Sequence, residues 1–537
     1  MRHTNQSNGV RLILGAVILG LASLATADAA DPFELRLRAR VAAPGLTGRL
    51  AIVETPATWN PDETAIIVCD MWDLHHCLNA VRRGGELVPT MDRVLKTARS
   101  RGTTIIHAPS ECTGAYAKHP ARAHAINTPR STHIPAEIGT WCYKIPSEEK
   151  GKYPIDQSDG GEDDDLTEHA AWAAKLTAMG RNPKAPWKTQ ADGLAIDNTD
   201  YISDNGEEIW SILEARGVKH VVLMGVHLNM CVLGRPFGLR QMAKNGMSVA
   251  LMRDMTDTMY NPKAAPYVSH FAGTDLIVEH VEKFVCPTIT SDQILGGVPF
   301  RFKDDHRPHV ALLIADDEYR TEVSLPEFAA SQLAKDYFVS YILAPVGQRD
   351  NLPGVNILST ADVALVSARR RVLPESQLAA IRKFVGDGKP VVGIRTASHA
   401  FAPKANAAVP AGHAAWTGFD ADVLGGHYTG HHAENGPTVV VKVAIAPGAA
   451  SDPILKGVDV AKVVGHGSLY KVSPLASTAR PLLIGTIPDK STEPVAWTNA
   501  PETKGRVVYT ALGQIDDFTS PDFNRFLRNA IDWALAR

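Results

Sequence analysis

Cysteine is scarce in this chain: six residues in 537, none of them in a CxxC pair and none after Cys286. Zinc ribbons and dithiol redox motifs are therefore excluded, and the C-terminal part has no thiol chemistry at all. An excess of charge of either sign is also missing. Lys and Arg number 55 against 58 Asp and Glu, a net charge of -3. Nothing in that balance recruits nucleic acid or an anionic membrane, so a small molecule is the expected partner. Past the first thirty residues no apolar run is long enough for a membrane-spanning helix.

The first thirty residues read differently. Arg2 and Arg11 precede an uninterrupted apolar or small run, Leu12 to Leu24, and Ala27-Asp28-Ala29 offers a small-x-small cleavage site. This is the pattern of a secretory signal peptide over residues 1–29, which predicts a periplasmic or secreted protein with no membrane contact after cleavage. In an oxidising compartment some of Cys77, Cys112 and Cys142 are candidates for disulfide pairing.

A chain of 537 residues is too long for one core, because globular chains split beyond roughly 250–300 residues. Residues 30–61 read as an irregular N-terminal extension. Residues 62–290 then alternate buried-type strands with helices. Strands are expected at Ala65–Cys69, Thr103–His107, Val218–Met224, Met247–Met252 and Leu276–Val278, and helices at Met91–Arg101 and Glu207–Arg216. Residues 291–308 read as a linker, and a second α/β series fills residues 309–537, starting with the apolar run His309–Ile314. The expected fold class is thus α/β, two three-layer αβα domains with mainly parallel sheets. The halves share no repeat. The long excursion Pro109–Asp192 contains an acidic run, Asp156 to Asp165, read as a solvated loop without EF-hand spacing.

Two segments of the first half carry chemistry. In Gly225-Val-His-Leu-Asn-Met-Cys231-Val, a buried strand ends, a turn follows, and a thiol stands where a helix begins, a place that favours thiolate and oxyanion. In Cys69-Asp70-Met-Trp-Asp73 a carboxylate stands at the carboxyl edge of the first buried strand, able to take the thiol proton. A buried inert cysteine and a helix-capping aspartate are the plainer alternatives.

Together these segments resemble the isochorismatase-like cysteine hydrolases over about Thr64 to Val285, with Val-Ala-Leu-Met-Arg-Asp254 similar to that family's next strand and turn. The resemblance implies Cys231 as nucleophile, Asp70 as general base, a cis peptide at Val226-His227, and hydrolysis of an amide or a vinyl ether. It also implies a catalytic lysine at the end of the third strand, and there this sequence has Asn198; the nearest lysine is Lys188. An amide donates hydrogen bonds but brings no positive charge. Asn229, His227, Arg235 and Trp72 are the candidate substrate-binding residues, with Arg240 and Arg253 as further donors. Some relatives bind zinc after the second strand, but Ser110-Glu111-Cys112, His119 and His124 make an incomplete set here, as do His75-His76-Cys77. No cofactor is expected, with zinc the one candidate metal.

The second half resembles the trehalose-utilisation (ThuA-like) family, a branch of the class I glutamine amidotransferase-like fold. Lys389-Pro-Val-Val-Gly-Ile-Arg395-Thr-Ala-Ser398-His399, Pro494 to Asn499 and Lys504 to Gly513 carry that resemblance. The amidotransferase cysteine is absent, which excludes glutaminase chemistry. His399, Trp416, His427, His431, His432 and His466 form a histidine-rich set that a ligand or metal would draw together. The expected whole is an exported hydrolase acting on a C–N bond of a small molecule, with an accessory second domain that binds a polar molecule or holds a homo-oligomer. The competing expectation is a catalytically silent carbohydrate-binding or scaffold protein that keeps the hydrolase fold without its lysine.

Overall fold

The computed structural model describes residues 30–404, 407–432, 440–500 and 505–537, together with Met1. The expected signal segment otherwise lies outside the described residues. The first α/β unit is built on an eight-stranded sheet: β1 (Phe33–Ala42), β2 (Leu50–Trp59), β3 (Thr64–Cys69), β4 (Thr104–Ala108), β5 (Tyr201–Ile202), β6 (His220–Val226), β7 (Ser248–Asp257) and β8 (Thr288–Ile289). The spatial order is β2-β1-β8-β7-β6-β3-β4-β5. Strands β3 to β8 are mutually parallel, whereas β1 pairs antiparallel with β2 and β8.

Helices α1 (Leu78–Ser100), α2 (Pro120–Asn127), α3 (Leu166–Ala178), α4 (Gly206–Ala215), α5 (Leu239–Lys244), α6 (His270–Phe284) and α7 (Asp292–Leu295) accompany this sheet. Every residue of β3 is buried, as a central strand covered on both faces must be. Alternate side chains point to opposite faces. Ile66 and Val68 meet Leu87, Met91 and Leu95 of α1, while Ala65 and Ile67 share a core with α4, α5 and α6.

Four expectations are corrected here. Leu276–Val278 is not a strand but the middle of α6, where Ile277, Val278 and Val281 repeat at helical spacing; a short apolar run does not distinguish the two. The N-terminal extension is not irregular but the hairpin β1–β2, whose Leu35-Arg-Leu-Arg-Ala-Arg40 alternation has the period of a strand. The acidic run is not simply solvated. Asp164 accepts the backbone N–H groups of Leu78 and Asn79 at the start of α1, both at 2.7 Å, Asp163 pairs with Arg83, and Asp165 caps α3. All six cysteines are free and buried, so Cys77, Cys112 and Cys142 form no disulfide.

The second unit has a nine-stranded sheet. Phe338–Leu343, His309–Ala315, Val363–Ala368, Val391–Ile394 and Val507–Thr510 lie parallel in that order. Glu493–Asn499, Ala479–Thr486, Val441–Ile445 and Val464–Gly465 continue it antiparallel. Both units are mixed α/β folds with large sheets of mostly parallel strands. The hairpin β1–β2 joins them: Ala43, Ala51 and Val53 pack against Val323 and Ile515, and Ile52 enters the core of the second unit.

Candidate active site

The register Cys69↔Gly225 brings the carboxyl ends of β3 and β6 side by side, which places Asp70 next to the turn that carries Cys231. This close approach requires a glycine. A Cβ on Gly225 would stand 2.0 Å from the Cys69 carbonyl oxygen, and its φ of +118° is disfavoured for any side-chain-bearing residue. Asp70 itself has φ 47°, the left-handed region, at a strain of about 1–3 kcal/mol. Its carboxylate is fully buried and held from two sides. Ser110 N–H donates to Oδ1 at 2.8 Å, and Arg235 Nε donates to Oδ2 at 2.9 Å.

After the cis peptide Val226-His227, a short helical turn, Leu228–Val232, carries Cys231. The thiol faces Asp70. Burial pushes the Cys231 thiol well above its ordinary value, the Asp70 charge adds to this, and Arg235 opposes it. Burial likewise raises the Asp70 carboxyl, against the pull of Arg235 and Ser110. The resting site therefore has a protonated thiol beside a carboxylate whose basicity is increased. Arg235 also lies over the Trp141 ring at 5.4 Å; Trp141 approaches because Gly234 lacks the Cβ that would clash with it.

The expected site residues divide into three groups. Asp70, Cys231 and Arg235 come together. Trp72 stands beside them, its Nε1 donating to Ser110 O at 3.0 Å and its ring stacked on Trp187 at 4.5 Å. His227 is buried with its ring edge-on to His75, and burial pushes it down to about 4. Asn229 is not free for a substrate: its amide bonds both backbone groups of Met259, at 2.8 and 2.9 Å. Asn198 is corrected outright. It is exposed on the turn before β5, at the amino side of a strand whose carboxyl end faces the site, and neighbouring Asp200 is held by Arg99 and His107. Lys188 is also exposed, and its backbone N–H donates to Asp73.

The residues missed are Ser110 and the aromatic wall. Ser110 was read within an incomplete metal set, although a residue just past β4 must border a ligand placed beyond β3. Trp187 reaches the site because Asp73 accepts the N–H groups of Lys188 and Thr189 and pairs with Arg181, folding that distant loop back over Trp72. A groove of about 630 Å³ opens beside the nucleophile turn, lined by Trp141, Tyr143, Tyr153 and Met230.

Other expected clusters do not converge. Ligand atoms of Cys77, Asp163 and Asp164 lie within 4.8 Å of one another, yet both carboxylates are engaged by Arg83, His169 and the start of α1. His119 caps α2, and His124 bonds Asp200 O. In the second unit His432 pairs with Glu493, His466 with Asp517, and His427 is exposed. His399 bonds Ser398 at 3.1 Å and stacks on Tyr428, and burial pushes it down to about 3.

A carboxylate, a thiol and a cation are thus assembled at the carboxyl edge of a parallel sheet. Residues 64–265 match the Isochorismatase domain family, and residues 348–534 match the ThuA family, described as trehalose utilisation. The chain thus joins an isochorismatase-like segment to a ThuA-like one. No curated protein matches it. Among solved structures, a cysteine hydrolase from Pseudomonas syringae pv. phaseolicola is 17% identical over 44% of this chain and 92% of its own, with a TM-score of 0.27. A ThuA-like protein from Bacteroides uniformis is 16% identical over 44% of this chain and 95% of its own, with a TM-score of 0.32.

Proposed function

We propose that the chain is an exported hydrolase that cleaves a C–N bond of a small amide-type substrate, with Cys231 as nucleophile, Asp70 as base and Arg235 as the cation of the site. The observation that carries this reading is the Arg235–Asp70 ion pair at 2.9 Å beside the Cys231 thiol. It supplies from the nucleophile's own segment the positive charge that Asn198 cannot. Asp70 takes the thiol proton as sulfur bonds to the amide carbon and the carbonyl electron pair moves onto oxygen. Collapse breaks the C–N bond, and the proton on Asp70 passes to the leaving nitrogen. Water then attacks the thioester, Asp70 takes its proton, and the S–C bond breaks to release the acid as Asp70 returns that proton to the sulfur and restores the thiol. A base whose affinity for protons is raised by burial suits both transfers.

Substrate entry is assigned to the groove beside Met230. Export is supported by the Leu12–Leu24 run and the Ala27-Asp28-Ala29 site, and places the activity in the periplasm or outside the cell. The ThuA-like domain is the accessory half, for a polar ligand or for self-association. A silent scaffold is the second reading, favoured by a thiol held well above its ordinary value.

The experiment is the pH dependence of Cys231 alkylation by iodoacetamide, with Asp70→Asn and Cys231→Ser as controls, followed by an amide screen. Labelling that depends on Asp70, and turnover lost in both variants, supports the hydrolase. Slow labelling indifferent to Asp70, with no turnover, leaves the scaffold.

A further inference from the structure

Between the two domains lies a cavity of about 170 Å³ that the hydrolase chemistry does not use. Its walls come from the first domain, the segment Pro299–Arg307 and the second domain. Most of its charges are already matched. Arg38 bonds Glu282 at 2.7 Å, Arg40 pairs with Glu279 and Glu282, and Arg307 pairs with Asp275 and Asp305. Asp254 spends its carboxylate on Ser291 and the Phe300 N–H.

Arg253 is the exception. Among the described residues no carboxylate lies within ion-pair distance of its guanidinium, and its one side-chain hydrogen bond is to Thr288 Oγ1 at 3.1 Å. That hydroxyl itself donates to Glu282, which with Glu54 and Asp254 acts on Arg253 from beyond ion-pair distance. Burial, with Arg38 adding repulsion, pushes Arg253 down to about 10 against the pull of Glu282, Glu54 and Asp254. A half-buried cation with no carboxylate in direct contact is costly, and an anionic guest relieves that cost.

The remaining wall is aromatic. Phe271, Phe300 and Phe302 line it from the first domain and the connecting segment, and Phe338 and Tyr341 from the second. Phe300 and Phe302 meet edge to face at 5.1 Å. A space of roughly 150 Å³ is large enough for a benzene-sized guest. We infer that this interdomain cavity binds a small monocyclic carboxylate, its carboxylate on Arg253 and its ring among Phe271, Phe300, Phe302 and Tyr341, so that the ligand joins the two domains.

The test is calorimetric titration of the full chain with benzoate, beside cyclohexylamine and inorganic phosphate. The expected result is saturable benzoate binding with Kd about 1 mM or tighter, retained in Cys231→Ser and absent for cyclohexylamine. Arg253→Gln weakens it by roughly tenfold to a hundredfold, the loss of a charge-assisted bond. Without ligand the same variant melts no lower than the parent, because it breaks no direct ion pair. Ala330→Trp, at an exposed residue that lines the cavity, blocks uptake without touching Arg253. No saturable binding below about 10 mM overturns the inference. So do binding that survives both Arg253→Gln and Ala330→Trp, binding lost in Cys231→Ser, and a preference for phosphate over benzoate.

Discussion

Arg235 Nε donates to Asp70 Oδ2 at 2.9 Å, so the cation of the site comes from four positions beyond the thiol and not from the strand on the far side of β4. This pairing lowers both proton affinities that the site must balance, because Arg235 opposes the rise at Cys231 and at Asp70 alike. Arg235→Gln is expected to slow Cys231 alkylation near neutral pH by at least about tenfold and to move its pH profile upward. Arg235→Lys is expected to restore part of the rate, which stopped-flow labelling reads directly.

Asn198 and Asn229 should exchange the importance that sequence position suggests. Asn198→Ala removes an exposed side chain and is expected to leave stability within about 0.5 kcal/mol and thiol labelling unchanged. Asn229→Ala strips both hydrogen bonds from buried Met259 and is expected to cost roughly 2–4 kcal/mol in urea unfolding.

Gly225→Ala tests the approach of β3 and β6. Its Cβ would overlap the Cys69 carbonyl at a backbone conformation that alanine resists. The expected loss is about 3 kcal/mol or more, together with loss of Asp70-dependent labelling, since the strand ends carrying both groups must separate.

Glu148 lies beneath Arg240 and His280, and these partners hold its carboxyl down to about 2 against the opposing effect of burial. A carboxyl lowered in the folded state contributes stability above its unfolded pKa and loses it as pH falls toward the folded one. Acid titration of the melting temperature should therefore show a decline from about pH 4.5 to 2 that Glu148→Gln flattens, with roughly 2–3 kcal/mol at stake near neutrality.

The free thiols give a direct check on the cysteines. Protein purified without reductant and then denatured should titrate for six thiols. Cys77 donates to Asp163 and Asp164, and Cys142 to the Lys144 carbonyl, which is why neither needs a sulfur partner.

Much of this arrangement was legible in the chain. Buried strands such as Thr64–Cys69 announce themselves by unbroken apolar runs, and the motifs at Asp70 and Cys231 follow strand ends that topology alone makes neighbours. What escaped depends on long-range closure. Position in a motif pointed to Asn198, but whether a side chain reaches the site depends on which end of β5 it occupies. Trp187 and Ser110 reach it through bonds from Asp73 and Asp70 across loops with no periodic pattern. The alternation in Phe33–Ala42 was visible, yet its partner β8 lies some 250 residues downstream, at Thr288.

The hairpin β1–β2 has a consequence for the order of assembly. Strand β1 closes the first sheet against β8, while its hairpin rests on Val323 and Ile515. During synthesis it must wait for nearly the whole chain before its contacts are complete. The two domains therefore mature as one unit, and cutting between residues 291 and 308 yields two fragments that each expose an unfinished face.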